Sequence, residues 1–387
     1  MTTKNNIPTG YKDSAVGIIP QEWEVDRLGE ICLTFKSGTT ITSQSIKESG
    51  LYPVYGGNGL RGYTDSYTHN GDYILIGRQG ALCGNINFIR GKAYISEHAI
   101  AVQPNESNSI EFLRYKLDFW NLNRFSESSA QPGLSVEKLV RYKLAVPPME
   151  EQRKIAEILG VWDEAIEKQS RLIEKLELRK RTLMQRLLTG RTRLPGFTTP
   201  WQKVKLGEIF KERNETKCEH LPLLSITAER GVILQSESDK KDTSNDDKSK
   251  YKRICPNDIG YNTMRMWQGR SALSAMEGIV SPAYTIVTPK VGIDPLFISE
   301  LIKQPRVVYD FWTHSQGLVG DTLNCKFHDF SQVKVAIPSL PEQKAIAEVL
   351  TTADDEIATH RKRLDALRLQ KRGLMQQLLT GKTRVKI

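Results

Sequence analysis

The side chains of this 387-residue chain best suited to recognition chemistry lie on glycine-flanked turns. In the first half these are Tyr55-Gly56-Gly57-Asn58-Gly59-Leu60-Arg61-Gly62-Tyr63 and Gly77-Arg78-Gln79-Gly80. In the second half they are Arg265-Met266-Trp267-Gln268-Gly269-Arg270, following Asn257-Asp258, and His314-Ser315-Gln316-Gly317. Glycine lets a backbone come close to a rigid partner, because no Cβ stands in the way. Arginine and glutamine present paired groups that match the major-groove edges of guanine and adenine. On this reading Lys36, Asn58, Arg61, Arg78, Gln79 and Gln131 are candidate nucleic-acid contacts in the first half, and Arg265, Trp267, Gln268, Arg270 and Gln316 in the second. Arg265 is taken to occupy the place of Arg78. The same turns also read as ordinary hairpin tips whose side chains are simply solvated.

Motifs for catalysis are missing. A DNA methyltransferase needs an N-P-P-Y type motif and a glycine-rich cofactor turn, and neither occurs. Leu379-Thr380-Gly381-Lys382-Thr383 resembles the end of a phosphate-binding loop, but Gln376 stands where its first glycine belongs. Six histidines and five cysteines show no HExxH or CxxC spacing, so no metal site, cofactor or disulfide framework is expected in this chain. The formal charge of +10 points to a polyanionic partner. Charge alone leaves DNA, RNA and an anionic membrane open. No run of eighteen apolar residues suggests a membrane span, and Met1-Thr2-Thr3-Lys4-Asn5-Asn6 is no secretory signal, so a cytoplasmic location is expected.

The elements that must position the turns come in duplicate. Glu151-Gln152-Arg153-Lys154-Ile155-Ala156-Glu157-Ile158-Leu159 returns as Glu342-Gln343-Lys344-Ala345-Ile346-Ala347-Glu348-Val349-Leu350, an offset of 191 (343 − 152). Leu183-Met184-Gln185-Arg186-Leu187-Leu188-Thr189-Gly190 recurs at the same offset as Leu374-Met375-Gln376-Gln377-Leu378-Leu379-Thr380-Gly381. Such fixed spacing suits a continuous helix. Ile155, Leu159, Trp162, Ile166, Gln169, Ile173, Leu176, Lys180, Leu183 and Leu187 step by four and three, the seam of a coiled coil. Further upstream, Trp23 and Leu28-Gly29-Glu30-Ile31 match Trp201 and Leu206-Gly207-Glu208-Ile209 at 178 (206 − 28). The second globular unit therefore carries thirteen extra residues (191 − 178), much of them expected in the polar loop 236–250. The expected fold is α+β: two pseudo-repeated globular units separated by two long helices that pack as an antiparallel coiled coil. In that register Trp162 would lie beneath Lys371.

A globular unit, a helix, a second globular unit and a near copy of the helix, with E-Q-x-x-I-A-x-x-L starts and L-M-Q-x-L-L-T-G finishes, is similar to the specificity subunits of Type I restriction-modification systems. The resemblance covers essentially the whole chain. It implies target recognition domains at 1–147 and 191–338, and conserved spacer helices at 148–190 and 339–387. It implies a non-catalytic subunit that binds double-stranded DNA, each domain reading one half of an asymmetric bipartite site. Two methyltransferase subunits would dock on the helices, and a translocating restriction subunit would complete a complex that uses S-adenosylmethionine, ATP and Mg. Glu151, Gln152, Glu342 and Gln343, read as exposed, are candidate docking residues. A protein-binding scaffold built on the same coiled coil is the competing reading; sequence-preferring DNA binding would separate the two.

Overall fold

The computed structural model describes residues 7–80, 82–126, 132–227, 230–238, 246–317 and 323–386. It divides into two compact units, Met1–Ser170 with Lys362–Ile387, and Arg171–Arg361. Both boundaries fall inside the two long helices, Met149–Leu187 and Leu340–Leu378, so each unit contains half of each. Among the described residues no helix is long and apolar enough to cross a membrane.

The first unit is organised by a strand that is apolar on both faces. Ile74 and Ile76 of Tyr73–Gly77 point into one core and Leu75 into another, since successive side chains alternate across a strand. Its neighbour Ala99–Pro104 does the same, with Ile100 and Val102 on one side and Ala99 and Ala101 on the other. Together they form the centre of an antiparallel sheet ordered Cys32–Ser37, Ala99–Pro104, Tyr73–Gly77, Ile86–Ile89. The helix Ile110–Phe119, capped where the Ser109 side chain accepts from the Phe112 amide, contributes Leu113 and Leu117 to the larger core. A second sheet, Gly59–Thr64, Tyr52–Gly56, Lys92–Ile95, His69–Asn70, includes one parallel pair, Tyr94 opposite Val54.

The second unit repeats the first sheet strand for strand: Phe210–Arg213, Tyr284–Pro289, Ile259–Asn262, Ser271–Leu273. Gly260 takes the inner position of its central strand, where a Cβ would fall 2.3 Å from Ile226 Cδ1. Matching hydrogen bonds fix the equivalences. The Leu28 amide donates to the Tyr142 carbonyl (2.8 Å) as Leu206 does to Val333 (2.9 Å), and Val102 pairs with Ile74 as Val287 does with Ile259. The Leu134 amide donates to the Arg78 carbonyl as Cys325 does to Thr263, both at 2.9 Å. The offset is thus 178 at Leu28, 185 at Val102 (287 − 102) and 191 at Leu134 (325 − 134). Seven of the thirteen extra residues enter before Val287. The other six enter between Val287 and Cys325, a stretch that includes the helix Pro305–His314, rather than in the polar loop 236–250.

The helix halves pack antiparallel inside each unit. In the first, Ile155 and Leu159 share a core with Met375 and Leu378, and Lys371 Nζ reaches Asp163 Oδ1 at 2.5 Å. In the second, Leu187 packs with Ile346 and Leu350, Lys180 pairs with Asp354 at 2.6 Å, Arg361 with Glu177 at 2.6 Å, and Arg179 with Glu356. Lys371 does not cover Trp162 as the seam register predicts. Its ammonium lies 5.1 Å over the Tyr115 ring, because the helix Ile110–Phe119 also packs there and Asp163 supplies the counter-charge.

Candidate nucleic-acid interface

Three turns of the first unit converge beyond the end of its central strand. Gly77 ends that strand where a Cβ would stand 2.6 Å from the Gly57 carbonyl oxygen, so only glycine lets the turn 56–59 come this close. The Arg78 amide donates to the His98 carbonyl at 2.9 Å, and the Gly80 amide to that of Pro132 at 2.9 Å. Gln79 Oε1 and His98 Nδ1 are 3.2 Å apart. Gly56 makes room for the Arg61 stem, whose Cδ lies 2.6 Å from where a Cβ would stand. Asn58, Arg61 and Gln79 are exposed and Arg78 is half-buried. The structure therefore brings Asn58, Arg61, Arg78 and Gln79 into one loop cluster at the end of the central strand. Lys36 is exposed on the outer strand beside His69, whose proton affinity is lowered by burial first and by the Lys36 charge second. Gln131 lies outside the described residues.

In the second unit the central strand runs into a single 3-10 turn, Met266–Gln268, anchored by fully buried Met266 and closed by Gly269 at φ +73°. Trp267 Nε1 donates to the Met264 carbonyl at 3.0 Å, which stands the indole on the turn. Gln268 and Arg270 are exposed, while Arg265 and Trp267 are half-buried. Two expectations change here. Arg265 is not the counterpart of Arg78: that place belongs to Thr263, whose carbonyl takes the equivalent hydrogen bond, and Arg265 stands two residues further on. Gln316 already uses its side-chain amide, which donates to Asp329 Oδ1 at 2.9 Å, so that amide is committed to the fold.

Glu151, Gln152, Glu342 and Gln343 are buried, contrary to their reading as exposed docking residues; each is 1 % exposed or less. Glu151 accepts from Trp23 Nε1 (3.0 Å) and from both Arg384 Nε and Nη2 (2.7 and 2.9 Å). Glu342 holds Arg193 in the same fork, at 2.6 and 2.7 Å. Gln152 accepts from the Ser109 amide and donates to the Pro147 carbonyl, and Gln343 does the same with Asp294 and Pro338. Strong repetition of these residues reflects a helix start locked to its globular domain. Sequence reasoning also passed over His98 as a member of the first loop cluster. It had no signal beyond being a lone histidine, because its role depends on a strand pairing far away in the chain.

The duplicated architecture agrees with what comparison with known proteins finds. Residues 20–178 and 298–369 match the model of the Type I restriction modification DNA specificity domain. The chain is 42% identical over 159 residues to the Type I restriction enzyme EcoprrI specificity subunit of Escherichia coli, a match spanning 40% of this chain and 39% of that protein. It is 26% identical over 411 residues to the Type I restriction enzyme MjaVIII specificity subunit of Methanocaldococcus jannaschii, covering 95% of this chain and 94% of that one. In fold it is similar to the crystal structure of the Type-I restriction-modification system S subunit from M. genitalium, with a TM-score of 0.59, 15% identity and 98% of both chains covered.

Proposed function

We propose, from the premise that this chain belongs to the family of Type I restriction-modification specificity subunits, that it reads a bipartite DNA site with one half-site per recognition unit. One observation carries the reading. Both units present the same strand end, marked by the Arg78 and Thr263 carbonyls, yet the loops that follow carry different side chains, Arg78 and Gln79 in one and Arg265, Trp267, Gln268 and Arg270 in the other. A shared frame with unlike side chains is what two readers of unlike sequences need. The recognition domains are assigned to 1–147 and 191–338 and the spacers to 148–190 and 339–387.

In this reading the chain contributes recognition and no bond chemistry, and acts in the cytoplasm. Two methyltransferase subunits supply the S-adenosylmethionine site, and a translocating restriction subunit the ATP- and Mg-dependent steps. The spacer helices dock the methyltransferase subunits. Support comes from large apolar side chains left in solvent on them, Val161 and Leu178 on the first and Leu369 on the second, each at least 59 % exposed. These replace the buried Glu151, Gln152, Glu342 and Gln343 as docking candidates.

The experiment is the methylation motif of a host carrying this chain and its methyltransferase partner, sequenced for the parent and for Arg78→Ala. If Arg78 grips a base, the change costs about 1 to 3 kcal/mol in binding and leaves only one block of the motif degenerate. Uniform weakening of both blocks would make Arg78 a phosphate contact. Methylation with no preferred motif in the parent would end the proposal.

A further inference from the structure

We infer that the helix Pro305–His314 is a second DNA-contacting element of the C-terminal recognition unit, with Tyr309 and Trp312 as specificity-determining residues. The inference rests on the reading above that the loop 263–270 faces a duplex. The stretch from Val287 to Cys325 is six residues longer than its counterpart from Val102 to Leu134, and it holds this ten-residue helix, whereas the described residues after Phe119 in the first unit form the 3-10 turn Leu122–Phe125. Its inner face is used up: Val307 and Phe311 are buried in the main core. The outer face carries Tyr309 and Trp312, 52 % and 49 % exposed, with ring centroids 5.6 Å apart and planes tilted by 36°. Each such ring offers on the order of 150 to 250 Å² of burial, so leaving two in water forgoes stabilisation that folding alone would take.

The ledge is continuous with the reading loop. Val308 Cγ2 lies 3.0 Å from where a Cβ on Gly269 would stand, so the helix packs directly on the 3-10 turn. Met264, 46 % exposed, adds to the apolar surface on the loop side. The flanking charges favour a polyanion: Arg306, its side chain 81 % exposed, sits 5.8 Å over the Tyr309 ring, and Arg270 is exposed on the loop. Asp310 offsets part of this, 3.6 Å from Arg306 Nε. Aromatic rings bordered by guanidinium groups suit a duplex, where apolar faces meet thymine methyls and deoxyribose while arginine meets phosphate.

The test uses the full chain assembled with its methyltransferase partner. Tyr309→Gln with Trp312→Gln should lower affinity for the cognate site about tenfold, the size of one mismatched base pair, and blur one block of the methylation motif. The slope of log affinity against log salt should not change, since no charge is removed, whereas Arg306→Ala should reduce it by about 0.9. Trp312→Phe, which keeps a ring, should recover most of the loss and guards against a folding defect. An unaltered motif and affinity in the double variant would overturn the inference, as would loss of partner assembly with DNA reading intact. Arg265→Ala with Gln268→Ala separates the two levels: if these blur a block while the aromatic variants do not, only the helix assignment fails; if neither pair does, the reading of the loop fails with it.

Discussion

At the residue scale, Lys116 shows how this fold joins a globular domain to a helix end. The residue is 5 % exposed, and its ammonium donates to the Leu379 carbonyl at 2.5 Å and lies 5.8 Å from the Trp23 ring centroid. A cation at a helix C-terminus meets the negative end of the dipole, yet burial dominates and lowers its pKa from the ordinary 10.5 to about 8. The sign follows. A folded pKa below the unfolded one means that the unfolded chain holds more protons between about pH 8 and 10.5, so stability from this group rises with pH in that window. Comparison of wild type with Lys116→Met by urea unfolding should therefore shift in favour of wild type from pH 8 to 10.5, by on the order of 3 kcal/mol. A flat difference across that range would show that the ammonium is hydrated in solution. Nothing in IEFLRYKLDF marks this lysine, because burial of a charge depends on what lies over it and that is a helix end more than 260 positions away. The recognition turns were easier to read, since glycine next to Arg or Gln is a local pattern. The pairing of Arg78 with Arg265 failed because inserted residues displace the register, and only hydrogen bonds to Leu134 and Cys325 reveal it.

At the element scale, the starts of the long helices are carboxylate clamps rather than sockets for a partner. Repetition of Glu-Gln at 151 and 342 was plain in the sequence, but repetition marks constraint without saying whether it comes from burial or from docking. The helices themselves were legible almost to their ends, since a four-three step that is apolar except at Gln169 and Lys180, and a following glycine, Gly190 at φ +68° and Gly381 at φ +73°, are local signals. The clamps also differ in a way the repeat hides. Trp23 donates its indole N–H to Glu151, whereas the Trp201 indole nitrogen is buried with no hydrogen-bond partner. Glu151→Ala strands three N–H donors, one on Trp23 and two on Arg384, and Glu342→Ala strands two, both on Arg193. Glu151→Ala is expected to cost about 3 kcal/mol, the low end for removing half of a buried ion pair because Arg384 keeps part of its side chain in water. Glu342→Ala should cost about 1 kcal/mol less, the worth of one hydrogen bond. Thermal unfolding of both variants checks this; equal losses would mean that the Trp23 bond adds nothing.

At the scale of the whole molecule, the two units have separate cores. Ile74, Ile76, Ile100 and Val102 organise the first, and Ile259, Tyr261, Val287 and Phe330 the second. Mutations without shared partners add within about 0.5 kcal/mol, and on the proposed reading a charge of +10 gives DNA affinity a large sequence-independent share, so two half-site terms would sit on a common electrostatic background. It follows that Arg78→Ala and Arg265→Ala should combine simply. If each removes a base contact, each costs about 1 to 3 kcal/mol. The double variant should then lose the sum in free energy, with both motif blocks blurred and the salt dependence of the remaining affinity governed by the other cations. Competition binding at two salt concentrations measures all three terms. A double variant no weaker than the worse single one would show that the loops act as one site, which two independently packed readers could not produce.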